Sequence, residues 1–250
     1  MNATHAVLAA AITSMLAGGL LSSAANAGGD APAPANWAGL YIGAHVGYGS
    51  EDTTWTHKDI NPFSATNGGG PIVLPGETFS SDGAIGGGQF GANFQFNQLV
   101  AGVEVSYAAA DLTNAHAISP GVFNQPATSS VESSIESIFT ATGRLGVTVG
   151  SQGLIYVKGG YAGGHINYKG TDTSGFGYSF ENSSWANGWT IGGGGEYKIT
   201  SALSVAVEYA HIELTTNNAG ATIAPLPTFP AIIDVKNEID TVTLRLNFKP

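Results

Sequence analysis

The 250-residue chain has a formal net charge of −10, only 10% charged residues and no cysteine. Its eight lysines and arginines are scattered singly, so no basic stripe exists to neutralise phosphates and nucleic acid is excluded as a partner. The missing thiols exclude disulfides, Cys-ligated zinc and cysteine nucleophiles, and a charged content far below the usual value of about 25% sets the chain apart from an ordinary soluble enzyme.

Residues 1–27 lack Lys, Arg, Asp and Glu, carry an apolar stretch from Ala6 to Leu21, and end in the small-x-small site Ala25-Asn26-Ala27. That pattern predicts a secretory signal peptide, too short in its apolar part to be a membrane anchor. A Pro/Ala/Gly linker over 28–35 follows, and a single barrel domain is expected over 36–250.

Eight runs then alternate with period 2, the mark of strands. The first, Trp37 to Tyr48, puts Leu40, Ile42, Ala44, Val46 and Tyr48 on one face and Gly39, Tyr41, Gly43, His45 and Gly47 on the other. The second, Asp82 to Phe96, opposes Phe90, Ala92, Phe94 and Phe96 to Gln89, Gly91, Asn93 and Gln95. After the tight turn Asn97-Gln98, the third sets Leu99, Ala101, Val103, Val105 and Tyr107 against Gly102, Glu104 and Ser106.

The fourth, Ile135 to Val149, opposes Phe139, Ala141, Leu145 and Val147 to Thr140, Thr142 and Arg144. Ser151-Gln152-Gly153 leads into the fifth, Leu154 to Tyr168, with Ile155, Val157 and Tyr161 facing away from Lys158. The sixth, Trp185 to Ile199, opposes Trp189, Ile191 and Tyr197 to Thr190, Glu196 and Lys198; Thr200-Ser201 turns the chain again. The seventh, Ala202 to Leu214, and the eighth, Ile239 to Phe248, repeat the pattern with Glu208 and Arg245 on the small-polar face.

Long connections, Gly49 to Ser81, Ala110 to Ser134, Lys169 to Ser184 and Thr215 to Asn237, alternate with the three tight turns. Short turns on one side and long loops on the other belong to outer-membrane barrels. A soluble barrel would need Lys, Glu and Asp on its second face. Here that face is mostly Gly, Thr, Ser, Ala, Asn and Gln, which suits a cramped polar interior.

The fold expected is therefore all-β, an eight-stranded antiparallel up-and-down transmembrane β-barrel, with strand eight closing on strand one because lipid tolerates no open edge. Glu104, Arg144, Lys158, Glu196, Lys198, Glu208 and Arg245 are expected to point inward and to pair, forming a salt-bridge network centred on Glu104, Arg144, Glu196 and Arg245. Trp37, Tyr48, Phe96, Tyr107, Trp189, Tyr197, Tyr209 and Phe248 fall near strand ends, as an interfacial aromatic girdle requires. The surrounding partners are then outer-membrane lipid and lipopolysaccharide.

Four segments resemble a known family: Trp37-Ala38-Gly39-Leu40-Tyr41-Ile42-Gly43, then Gly188-Trp189-Thr190-Ile191-Gly192 leading to Glu196-Tyr197, then Glu208-Tyr209, and Val242 to Lys249. They are similar to the small eight-stranded outer-membrane proteins of alphaproteobacteria, the porin-family or outer-membrane immunogenic proteins, whose barrels are OmpA-like. The resemblance implies insertion by the outer-membrane barrel assembly machinery with periplasmic chaperones, a role in envelope integrity, and surface exposure. It also implies a terminal aromatic residue, where this chain reads Phe248-Lys249-Pro250.

Other motifs carry less. Gly86-Gly87-Gly88-Gln89-Phe90-Gly91 matches G-x-G-x-x-G but sits inside an alternating strand, where glycine serves curvature rather than a nucleotide. The histidines lack H-E-x-x-H or paired spacing; His57 and His116 fall in predicted outer loops, His165 and His211 near strand ends, and His45 on strand one. The expected function is a non-enzymatic structural barrel without cofactor or metal, with narrow-pore permeability as an added capacity. Surface capture of haem or another small ligand through loop histidines, or a soluble secreted β-protein, are the alternatives.

Overall fold

The structure is a computed structural model that describes residues 35–59, 78–118, 129–172, 178–222 and 230–250; the predicted signal peptide and most of the predicted linker lie outside the described residues. Eight strands follow one another: β1 Gly39–Asp59, β2 Thr78–Phe96, β3 Leu99–Ile118, β4 Ser129–Val149, β5 Gly153–Asp172, β6 Tyr178–Lys198, β7 Leu203–Thr222 and β8 Pro230–Phe248. Each pairs antiparallel with its neighbours, and β1 pairs with β8 from Ile42↔Phe248 upward, so the barrel is closed.

The short-turn end matches the alternation pattern to within one or two residues. Asn97 takes φ +52° between β2 and β3, and Gly150 takes φ +61° between β4 and β5, the left-handed conformations that tight hairpins need. At the opposite end the strands run far beyond the predicted runs: β1 continues eleven residues past Tyr48, to Asp59. Much of what reads as long loop is therefore strand, and the backbones of His57 and His116 lie in β1 and β3 rather than in loops.

The reason is in the outward-facing side chains. From Leu40 to Tyr48 on β1 they are apolar, about nine residues, the length a tilted strand needs to cross hydrocarbon. Above that band the outward positions turn polar, with Asp52, Asp82, Asp111, Thr113 and Glu136 on β1 to β4 and Lys169, Glu181, Glu213, Lys236 and Glu238 on β5 to β8. Backbone pairing continues there, but the apolar half of the alternation has gone.

The apolar residues of the band face out. Val46 is 64% exposed, Phe94 70% and Phe96 82%, with Val103, Leu145, Val157, Ile191 and Leu244 similarly open. Water would penalise such a surface at about 25 cal/mol per Å²; hydrocarbon does not. Phe96, Tyr197 and Phe248 mark its short-turn edge, and Tyr48, Tyr107, Trp189 and Tyr209 its other edge, joined by Tyr161 and Trp185.

Trp37 is a correction. It is 4% exposed and lies inside the barrel base, not on the girdle. The chain before β1 crosses the short-turn mouth, held by Ala35 N–H donating to the Ser151 carbonyl at 3.0 Å and Trp37 N–H to Gln95 Oε1 at 2.6 Å. That path carries the indole inward.

Val103→Arg, at the middle of the outward band on β3, is expected to cost about 2–4 kcal/mol of stability in lipid. Thr113→Arg, ten positions further along the same face, is expected to be near neutral, with urea unfolding from lipid vesicles as the measurement.

Candidate functional site

The inward positions stack in layers, to which β3, β5 and β7 contribute in the same order. β5 supplies Leu154 and Tyr156, then Lys158, then Ala162 and Ile166; β3 supplies Val100, Glu104 and Leu112; β7 supplies Glu208, then Ile212 and Leu214.

The floor is Trp37 packed with Val100, Leu154, Tyr156 and Ala35. Lys198 stands 5.0 Å from the Trp37 ring centre and donates to the Asn36 carbonyl at 2.8 Å; Lys249 reaches the same carbonyl at 3.1 Å. Lys198 thus serves the floor and forms no ion pair with the other inward charges. A cavity of about 20 Å³ remains beside it, room for about one water, and its walls include Trp37 and Asn93, whose Nε1 and Oδ1 have no protein partner.

Above the floor lies the ionic layer. Lys158 contacts Glu104 at 3.1 Å and Glu208 at 2.7 Å, and Arg245 spans the same two carboxylates, reaching Glu104 at 2.8 Å and pairing with Glu208 through its other terminal nitrogen. Arg144 pairs separately with Glu196. Three acids thus meet three bases, and every one of these side chains is at most 6% exposed.

Tyr41 joins the two groups, donating to Glu104 Oε2 at 2.7 Å and accepting from Arg144 Nη1 at 3.4 Å. Tyr156 donates to Glu208 Oε2 at 2.7 Å, and the Arg144 guanidinium lies 3.9 Å from its ring centre. Glu196 also accepts from Ser204 at 2.6 Å and Asn247 at 2.8 Å, and Asn247 Oδ1 accepts from Gln89, whose own oxygen meets His45 Nδ1 at 2.7 Å. A charge buried alone is expensive, and here each carboxylate and cation has a partner.

Sequence reasoning placed Tyr41 on the inward face but gave neither tyrosine a role; their inward parity was the available signal. Room for them comes from glycine. A Cβ on Gly91 would stand 2.4 Å from the Tyr41 ring, and one on Gly43 would stand 2.4 Å from both Gln89 and Asn247. Gly86 to Gly91 accordingly lie in β2, against β1 and β3.

The third layer departs from the cramped polar interior expected from the sequence. Leu112, Ile135, Ile138, Ala162, Ile166, Ala186, Ile212, Leu214, Val235 and Ile239 form one buried apolar cluster inside the barrel. A bulge of β4 at Ile135/Ser137 beside β5, with the register of β3 shifting opposite it between Ala109 and Leu112, lets Ile135 and Ile138 both turn inward despite their odd spacing.

The histidines are spread apart: His45 inside, and His165 and His211 on the outer face above the apolar band. His211 Nδ1 meets Asp240 Oδ1 at 2.9 Å, and Tyr209 donates to the same oxygen at 2.6 Å. No group of three or more metal-ligating side chains occurs among the described residues.

Removing Arg245 strands two acids beside one lysine, so Arg245→Met is expected to cost about 3–5 kcal/mol, with partial recovery in Arg245→Met/Glu104→Gln, read from the heat needed to shift the folded band on a gel. Trp37→Ala is expected to cost about 3 kcal/mol by the same assay, since it empties the floor.

The family described as outer membrane protein beta-barrel domain matches residues 14–243. The 31 kDa outer-membrane immunogenic protein of Brucella melitensis is 28% identical over 219 residues, covering 86% of this chain and 84% of that one, and the Brucella suis protein of the same name matches equally. Among solved structures, the outer membrane protease OmpT from Escherichia coli aligns with a TM-score of 0.50 at 9% identity, over 84% of this chain and 96% of that one. That last likeness concerns the fold alone.

Proposed function

Because the chain belongs to the outer membrane protein beta-barrel domain family, and so to the bacterial outer membrane, we propose that it is a sealed structural barrel that strengthens the envelope and presents its long connections at the cell surface. The observation that carries this reading is the filled lumen: floor, ionic layer and apolar cluster follow one another along the axis.

A conducting pore needs a continuous wet path. An apolar constriction resists wetting, and below it the charged side chains are spent on one another rather than on a permeant ion. The same engagement supports a structural role over an enzymatic one: in the ionic layer each carboxylate is held by a cation, and His45 is tied to Gln89. The narrow-pore reading is the weaker of the two for these reasons.

The partners in this reading are lipid against the apolar band and lipopolysaccharide against the polar collar above it, with insertion by the barrel assembly machinery. Phe248 faces outward, half exposed, at the short-turn edge of the apolar band.

Liposomes carrying the reconstituted barrel are expected to swell in small sugars no faster than protein-free liposomes, and planar bilayers to show no stepwise current. Cells lacking the protein are expected to become more sensitive to detergent. Regular current steps would overturn the sealed reading.

A further inference from the structure

Beside the apolar cluster the inner wall of β1, β2 and β8 turns polar around one acid, between the cluster residues Ile239 and Val235 of β8. Glu51 is 0% exposed, and its cross-strand neighbours are Ser81 on β2 and Ile239 on β8, so it lies in the seam that closes the barrel. Ser81 donates to Glu51 Oε2 at 2.9 Å. Glu51 Oε1 lies 2.9 Å from Thr53 Oγ1, which lies 3.1 Å from Asn237 Oδ1 on β8. Thr53 and Asn237 are 1% and 0% exposed.

No lysine or arginine pairs with Glu51 among the described residues. On β1, Asp52 turns to the outer face and meets Ser80, and His45 is tied to Gln89 lower in the lumen. On β2, Asp82 is exposed. On β8, Lys236 is held by Glu213 and Glu238, and Asp240 by Tyr209 and His211. The layer that holds Glu51 therefore supplies hydroxyls and an amide but no positive charge, and an isolated buried carboxylate costs several kcal/mol.

With the Asn237 amide as it stands, hydrogen counting points the same way. Thr53 has one hydroxyl hydrogen for two neighbouring oxygens, and Asn237 Nδ2 has no partner. If Glu51 is ionised, that hydrogen goes to the carboxylate, and the Asn237 amide has to turn so that Nδ2 donates to Thr53. If Glu51 is the neutral acid, it donates to Thr53, Thr53 donates to Asn237, and Ser81 donates to Oε2. The chain then runs in one direction with no charge.

We infer that Glu51 is a proton-binding site, and that its neutral acid ties β1, β2 and β8 together at the outer half of the closing seam. Loss of the proton turns the Thr53 hydrogen back and releases Asn237. The folded barrel keeps a proton that the unfolded chain gives up near the ordinary glutamate value of about 4.3. It therefore binds more protons than the unfolded chain above that pH, and the stability contributed by this site falls as pH rises.

The full-length barrel in lipid, compared with Glu51→Gln, tests this by infrared difference spectroscopy and amide hydrogen exchange across a pH series. Glutamine keeps one donor and one acceptor, so Glu51→Gln is expected to fold and to match the wild type at neutral pH. The difference spectrum at neutral pH is expected to contain the carbonyl stretch of a protonated carboxylic acid, fading in alkali. Protection at β1 and β8 around Thr53 and Asn237, taken as the slowing of exchange relative to an unstructured chain at the same pH, should fall over the same interval in the wild type and stay flat in the variant.

A neutral-pH spectrum with only carboxylate bands would overturn the inference. So would a Glu51→Gln barrel that fails to fold, or one whose protection falls with pH as the wild type's does. None of these outcomes depends on whether the barrel conducts.

Discussion

Hydrocarbon offers no hydrogen bonds, so every peptide group that crosses it must be paired within the protein. For strands this means closure, and the pairing of β1 with β8 from Ile42↔Phe248 to the top of the strands meets that demand. Closure at eight strands then fixes the lumen at a width that side chains must fill. The remaining architecture follows: the outer face is chosen for lipid and the inner face for packing into a narrow cylinder.

Filling that cylinder with charge and with aliphatics solves different problems. The ionic layer is costly to desolvate, and replacing such a network by apolar residues is often neutral or better for stability. What it fixes is geometry: Arg245 and Lys158 each bridge Glu104 and Glu208, joining β3, β5, β7 and β8 across the lumen. The apolar cluster around Leu112, Ile135 and Ile239 needs no such pairing and supplies burial without a desolvation cost. The floor combines the two, with the Trp37 ring under the Lys198 ammonium.

Where the two faces differ in polarity, the strands could be read directly from the sequence. Leu40 to Tyr48, Phe90 to Phe96 and Val242 to Phe248 alternate because one side meets lipid and the other meets neighbours. The inward parity of Glu104, Arg144, Glu196 and Arg245 followed from the same alternation, but the split into an Arg144 pair and a four-membered group did not, since it depends on cross-lumen reach. Above Tyr48 both faces carry polar residues, so β1 to Asp59 gave no periodic signal although it stays paired with β8, with one register shift at His57/Asp59. Trp37 was misread because aromatic residues at strand ends serve girdles and plugs alike; only the path of residues 35–38 across the mouth tells them apart. The bulge at Ile135/Ser137, which turns two isoleucines inward, leaves no mark in a period-2 count.

The alternation that fills the barrel also bears on how the chain reaches its membrane. A continuous apolar run of about 18 residues would be held in the inner membrane as a helix. Here most outward apolar residues are followed by an inward small or polar one, as in Val103-Glu104-Val105-Ser106-Tyr107 and Leu244-Arg245-Leu246-Asn247-Phe248. The buried ions therefore break the apolar runs while the chain is unfolded, and they find their counter-ions only when the barrel closes. A lumen packed solely with leucine and isoleucine would fill the same space, but its strands would no longer be distinguishable from a transmembrane helix during export. The position of the apolar cluster fits this constraint: it sits mostly beyond the lipid-facing band, where the outward neighbours are polar and the runs are broken from the other side.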